Sequence, residues 1–165
     1  MKNILINKKV IFTLQIVTII VAFFVAYTSN SEPSKNQNIE YLKHMTDFLK
    51  LPKPLCILRI FRHNYLLSLL QAVLSFFSFG IFGIWFLFNT FYIYGFTFKY
   101  TANLFLFLEM LGTIISIYFS TLLSFHTLRD GVKIQCYFRK IIAYLIINFV
   151  VFFVASCLEV NLIFG

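Results

Sequence analysis

The chain has 165 residues, 60% hydrophobic, 20% aromatic and only 12% charged, with a formal net charge of +8 and a mean hydropathy of +0.85. A water-soluble domain carries roughly 25% charged residues, so this composition excludes one and places the chain among integral membrane proteins. The basic residues sit mainly at the ends of apolar runs, where topology and lipid headgroups account for them, and nucleic acid is not an expected partner.

In chain order, Lys2, Lys8 and Lys9 precede an apolar run over residues 10–27. A basic start followed by an apolar run is a signal peptide or a signal anchor. This run is long enough to span, and Ala26-Tyr27-Thr28 is a poor cleavage site, so an uncleaved anchor with a cytoplasmic N-terminus is expected. Thr18, Ala22 and Ala26 recur every four residues and give it one smooth face. Residues 28–38 are polar, with Pro33, and read as a loop. A short amphipathic helix is expected near 39–51, where Ile39, Leu42, Met45 and Leu49 keep helical spacing; it lies on the membrane surface or packs on the bundle. Pro52 and Pro54 end it. Over 55–64, Arg59, Arg62 and His63 are placed to snorkel to headgroups.

Residues 65–98 hold no charge in 34 positions. One helix of that length would reach about 50 Å, against a hydrocarbon core of about 30 Å. Two spans, 64–80 and 82–98, are therefore expected back to back, with a tight turn at Gly80 and Gly83; a re-entrant pair competes. After a polar link at 99–103, residues 104–125 form a fourth span on which Gly112, Ser116, Ser120 and Ser124 make a helix-packing stripe where another backbone can approach. Residues 126–140 carry Arg129, Lys133, Arg139 and Lys140 against Asp130, which makes the loop cytoplasmic under the positive-inside rule. Residues 141–158 are the last span. Five spans put that loop inside and four put it outside. The 28–62 segment, with six basic and three acidic residues, runs against the rule in this arrangement. The expected fold is an all-α, polytopic transmembrane bundle of about five spans: one membrane domain over 1–165, with an anchor (1–27), an extracytoplasmic loop (28–63) and a helical core (64–165).

An ionisable group inside a span costs on the order of 3 kcal/mol by insertion scales and is a functional candidate by default. Glu109, Asn64 and Glu159 fall at one level toward the outer face, and Asn89 and Asn148 lie deeper. Together they form the candidate intramembrane polar or partner site. Glu109 either is protonated, or bonds to an Asn or to freed backbone near Gly80 or Gly95, and so locks helix positions, or it meets a partner helix, or it lines a polar path. His44, His63 and His126 make no HExxH, Cys56, Cys136 and Cys157 make no CxxC, and neither GxSxG nor a Gly-rich phosphate loop is present. No enzyme, cofactor or metal is expected.

The order Phe61-Arg-His-Asn64, Gly80-xx-Gly83, Asn89 with Gly95, Glu109 followed by Gly112, and Ala155-Ser-Cys-Leu-Glu159 resembles the stage II sporulation protein M family of bacterial membrane proteins, over about residues 61–159. Two positions depart from it: Phe105-Leu106 stands for the family's His-Gly, and Thr90 for a Gly. The founding member is a partner of cell-wall hydrolases during sporulation, and shorter relatives occur beside transporter genes and in bacteriocin clusters. The resemblance implies a non-enzymatic membrane subunit of a transport, peptide-secretion or immunity, or cell-envelope complex. Its expected partners are membrane lipids and another membrane protein (an ABC-type transporter or an envelope hydrolase) or a second copy, with the 112–124 stripe as the partner face. The alternative is a transporter or channel in its own right, with Glu109 and Asn89 lining a polar path.

Overall fold

The computed structural model describes residues 8–29, 50–100, 104–130 and 134–164. Among them are five helices and no strand: α1 (Lys8–Thr28), α2 (Lys53–Phe77), α3 (Ile81–Tyr100), α4 (Leu104–Asp130) and α5 (Ile134–Phe164). The amphipathic helix expected near 39–51 falls almost wholly outside the described residues. Three helices, over Lys9–Thr28, Leu104–Thr127 and Tyr137–Phe164, are long and apolar enough to cross a membrane, and α3 has the shorter apolar stretch Ile81–Gly95.

Most helix ends lie beyond the expected ones, because helical hydrogen bonding continues where the apolar composition stops; the exceptions are the start of α4, at Leu104 as expected, and the end of α2, at Phe77 rather than residue 80. The largest difference is at α2, which starts at Lys53 rather than near residue 64. Pro52 and Pro54, expected above to end a helix, stand at the start of one. They sit at the N-cap and in the first turn of α2, where proline's fixed φ suits a helix and its missing N–H is not needed. Residues 53–63, assigned above to the loop, are therefore the first three turns of a helix.

The break between α2 and α3 is a turn at Ser78, Phe79 and Gly80. Phe79 (φ 53°) and Gly80 (φ 87°) both adopt left-handed backbone, and the Gly80 N–H donates to the Ser75 carbonyl at 2.8 Å. Ser78 serves both helices: its N–H donates to the Leu74 carbonyl at 3.1 Å, and its Oγ accepts the Phe82 N–H at 3.0 Å. Gly83 is not part of the turn, as expected above, but lies inside α3. A Cβ there would stand 2.4 Å from Ser75 Oγ and 2.6 Å from Ile117 Cγ2, so its lack of a side chain closes the hairpin onto α4.

Helices α2, α4 and α5 pack on one another, α3 lies against α4 and α2, and α1 packs mainly on α3. Asn64 meets Glu109, Ser68 meets Ser116 and Ser75 meets Thr121, so α2 and α4 run parallel. Helix α5 is antiparallel to both, since Asn148 reaches Ser116 while Phe152 lies against Gly112. Helix α1 runs with α3: Ala22 shares a buried cluster with Leu87 and Phe91, and a Cβ on Gly95 would stand 2.9 Å from both Ala26 Cβ and the Phe23 carbonyl oxygen. The smooth face expected on α1 is the face that packs on α3.

The interior is more polar and the surface more apolar than in a soluble protein. Ser68, Ser75, Ser116, Asn148 and Ser156 are fully buried beside Leu87, Phe91 and Ile117, whereas Phe24, Phe77, Ile81, Trp85 and Leu104 are exposed. Such a surface suits hydrocarbon, and small polar residues between helices permit close backbones and interhelical hydrogen bonds where no hydrophobic driving force exists.

Candidate functional site

Glu109 stands in the second turn of α4, 8% exposed. Both of its carboxyl oxygens are engaged: Asn64 Nδ2 on α2 donates to Oε1, and the Tyr94 hydroxyl on α3 donates to Oε2 at 3.2 Å. Three helices thus converge on one carboxyl. Each carboxylate oxygen has two acceptor sites, so the group can still accept from a further donor.

Beside it opens a cavity of about 900 Å³, lined by Arg59, Arg62, His63, Asn64, Glu109 and Glu159, with Leu66, Leu67 and Leu70 along one wall. Glu159, on α5, lies close enough for its charge to act on Glu109. It has neither a hydrogen bond nor an ion pair to another described residue. The α2 side of the cavity is graded: Arg59, Arg62 and His63 are exposed near the helix start, and Leu66, Leu67 and Leu70 are exposed one to two turns further in. Asn64, Glu109 and Glu159, expected at one level, all line this cavity.

Asn148 belongs to a second, deeper cluster. Its Nδ2 donates to Ser68 Oγ at 2.8 Å and its Oδ1 accepts from Ser116 Oγ at 3.3 Å, while the two serine hydroxyls also bond to each other. The buried Tyr144 hydroxyl lies beside the same two serines. Further toward the 78–80 turn, Ser75 Oγ and Thr121 Oγ1 are 3.0 Å apart. Asn89 joins neither cluster. Its Nδ2 donates to the Trp85 carbonyl of its own helix at 2.9 Å, so of the two residues expected deeper only Asn148 joins the buried cluster.

The Gly112, Ser116, Ser120 and Ser124 stripe is buried within the chain. A Cβ on Gly112 would lie 2.7 Å from the Phe152 ring, Ser116 holds Ser68 and Asn148, and Ser120 Oγ donates to the Ile117 carbonyl at 3.0 Å. Its own α2 and α5 already fill the stripe, so it is not a face left for another protein. Sequence reading missed the complementary row on α2, Ser68, Gln71 and Ser75, together with Tyr94 and Thr121. The signal was available: Asn64, Ser68, Gln71 and Ser75 follow the four-three-four spacing of one helical face.

Among the described residues, no group of three or more His, Cys, Asp or Glu could hold a metal ion. Among the described residues, Cys56 and Cys157 are in no disulfide, and the Cys56 thiol donates to the Leu51 carbonyl at 3.6 Å. No family model, curated protein or solved structure matches the chain.

Proposed function

We propose that the chain is a non-enzymatic integral membrane subunit of five spans, N-terminus cytoplasmic, that holds another membrane protein in the bilayer. The observation that carries this reading is the Glu109 and Glu159 cavity. It is an open, charged recess at one end of a bundle whose other polar groups mostly bond to one another. Neither carboxyl has a cationic partner among the described residues, and such groups at membrane depth are costly unless used. The resemblance to the stage II sporulation protein M family supports the same reading and points to a transport, peptide-secretion or immunity, or cell-envelope complex. Purification from its native membrane in mild detergent tests it. A stoichiometric membrane protein partner is expected, and a chain that always elutes alone removes the proposal.

A second reading is a transporter or channel. The favouring observation is the row of polar pairs from Asn64–Glu109 through Ser68–Ser116–Asn148 to Ser75–Thr121, which runs most of the length of the α2–α4 seam. Several of these hydroxyls also donate to carbonyls of their own helix, as Ser116 does to Gly112 at 2.8 Å and Thr121 to Ile117 at 2.7 Å. That is the geometry of a closed packing seam, so the subunit reading ranks first. In liposomes, Glu109→Gln would abolish a flux without changing assembly if the second reading holds; no flux from the wild-type protein counts against it.

A further inference from the structure

Helix α3 has one side turned away from the rest of the fold. On its inner side Gly83, Leu87, Phe91 and Gly95 recur every four residues and meet Ser75 of α2, Ile117 of α4, and Ala22, Phe23 and Ala26 of α1. At about 3.6 residues per turn, Asn89 points about 180° away from the middle of that row. Phe82 and Trp85, exposed at 50% and 56%, and the half-buried Tyr92 share its side. The steps from Phe82 to Trp85, Asn89 and Tyr92 are three, four and three residues, which is the seam of a left-handed helix pair.

Asn89 also stands near the middle of the span. It lies eight residues from Ile81, beside the turn, and ten from Lys99, the next charged residue, or roughly 12 and 15 Å along the helix. Its carboxamide has two N–H donors and an oxygen with two acceptor sites. One N–H goes to the Trp85 carbonyl at 2.9 Å, and Oδ1 accepts from no described residue. Hydrocarbon offers neither donor nor acceptor, so an amide at this depth is costly unless a neighbour bonds to it. The buried Asn148 has such neighbours on two other helices, whereas Asn89 bonds only within its own.

A second copy of the chain supplies what Asn89 lacks. Copies inserted in the same orientation carry this residue at the same depth, and a twofold axis along the membrane normal brings the two carboxamides opposite each other. Each offers both a donor and an acceptor, so they pair reciprocally, N–H to Oδ1, while the other N–H of each stays on the Trp85 carbonyl. A helix of a different protein would need a polar group placed independently at that depth, and lipid tails have none to give. We infer that the chain forms a twofold dimer along the outer side of α3, with Asn89 paired across the axis and Phe82, Trp85 and Tyr92 packing above and below it. None of these residues lines the Glu109 cavity, so the dimer is independent of the subunit reading above.

The test uses the full chain in a cysteine-free background, labelled at Lys140→Cys with a donor or an acceptor dye and reconstituted in phosphatidylcholine liposomes at falling protein-to-lipid ratios. Energy transfer should follow a monomer–dimer curve. Asn89→Leu should weaken dimerisation about ten-fold and leave the melting of the monomer unchanged, since the amide bonds only within α3. Asn89→Gln, which keeps both ends of the amide, should stay within about three-fold of the wild type. On oxidation, Trp85→Cys should form a disulfide between copies, and Ile20→Cys, exposed on α1, should not. The proposal is overturned by no transfer at any ratio, by an Asn89→Leu curve equal to the wild type, by a loss as large with Asn89→Gln as with Asn89→Leu, or by equal cross-linking at positions 85 and 20. It also falls if the chain stays monomeric alone yet cross-links through Trp85→Cys to a different protein in its native membrane, which would make the occupant a foreign helix. A dimer that purifies without any other protein keeps this face assigned even where the subunit reading fails.

Discussion

Phe79 is the residue whose backbone runs most against its side chain. A non-glycine residue at φ 53° occupies the left-handed region at a cost of about 1–2 kcal/mol, and the turn places it there next to Gly80 at φ 87°. Phe79→Gly should therefore raise the detergent melting temperature, its lost aromatic surface being partly exposed. Gly80→Ala should lower stability by about 1–3 kcal/mol, because the new Cβ meets Thr121 Cγ2 at 2.7 Å as well as adopting positive φ. Chemical or thermal denaturation of both variants separates backbone strain from packing. Asn148, fully buried and joined to Ser68 and Ser116, is a different case. Intramembrane hydrogen bonds average about 0.6 kcal/mol, and the two serines remain bonded to each other without it. Asn148→Leu should thus cost only about 1 kcal/mol in a melting assay; a far larger loss would show that the deep cluster supports more than helix packing.

Helix α1 packs mainly on α3, and the closeness of that packing depends on Gly95. A side chain there would meet the Phe23 backbone at 2.9 and 3.1 Å, and backbone cannot rotate aside. Gly95→Val should separate the anchor helix from the bundle, seen as faster proteolysis of the 29–52 connection while the melting of the remaining helices changes little. Gly112 presents the opposite situation, because what a Cβ would meet is the end of the Phe152 ring. Gly112→Ala should destabilise α4 against α5 by about 1–3 kcal/mol, and Phe152→Leu in the same chain should restore most of it. Failure of that rescue would mean that the backbones, not the ring, set the helix separation. The α4 half of this packing was legible as a four-residue repeat of small residues. Its α2 half was not read, because Ser68, Gln71 and Ser75 are interspersed with leucines and only the partner helix shows that one face is buried.

Across the whole molecule, α2 and α4 run opposite to α1, α3 and α5, so the 78–80 turn, the start of α1 and the α4–α5 connection lie at one end and the Glu109 cavity at the other. In a cysteine-free background, Phe79→Cys and Lys140→Cys should react with an impermeant reagent from one side of the membrane and Lys53→Cys from the other. If Phe79→Cys and Lys53→Cys react from the same side, α2 and α3 form a re-entrant pair instead of two spans.

Composition and run length were enough for helices long and apolar enough to cross a membrane, the helical class and a break near residue 80, because hydrocarbon tolerates few charges and a span has a fixed length. They also singled out Glu109, since one carboxyl in an apolar run is conspicuous on cost alone. Which groups bond to it could not be read along the chain. Asn64 and Tyr94 reach it from separate helices, Glu159 lines the same cavity from a third without bonding to it, and Asn89, of the same residue type as Asn64, turns to its own backbone. Those choices depend on the rotation and depth of each helix, which glycines 83, 95 and 112 set by the contacts they permit. The 112–124 stripe shows the same dependence: its spacing promised a packing face, and the fold filled that face with the chain's own α2 and α5.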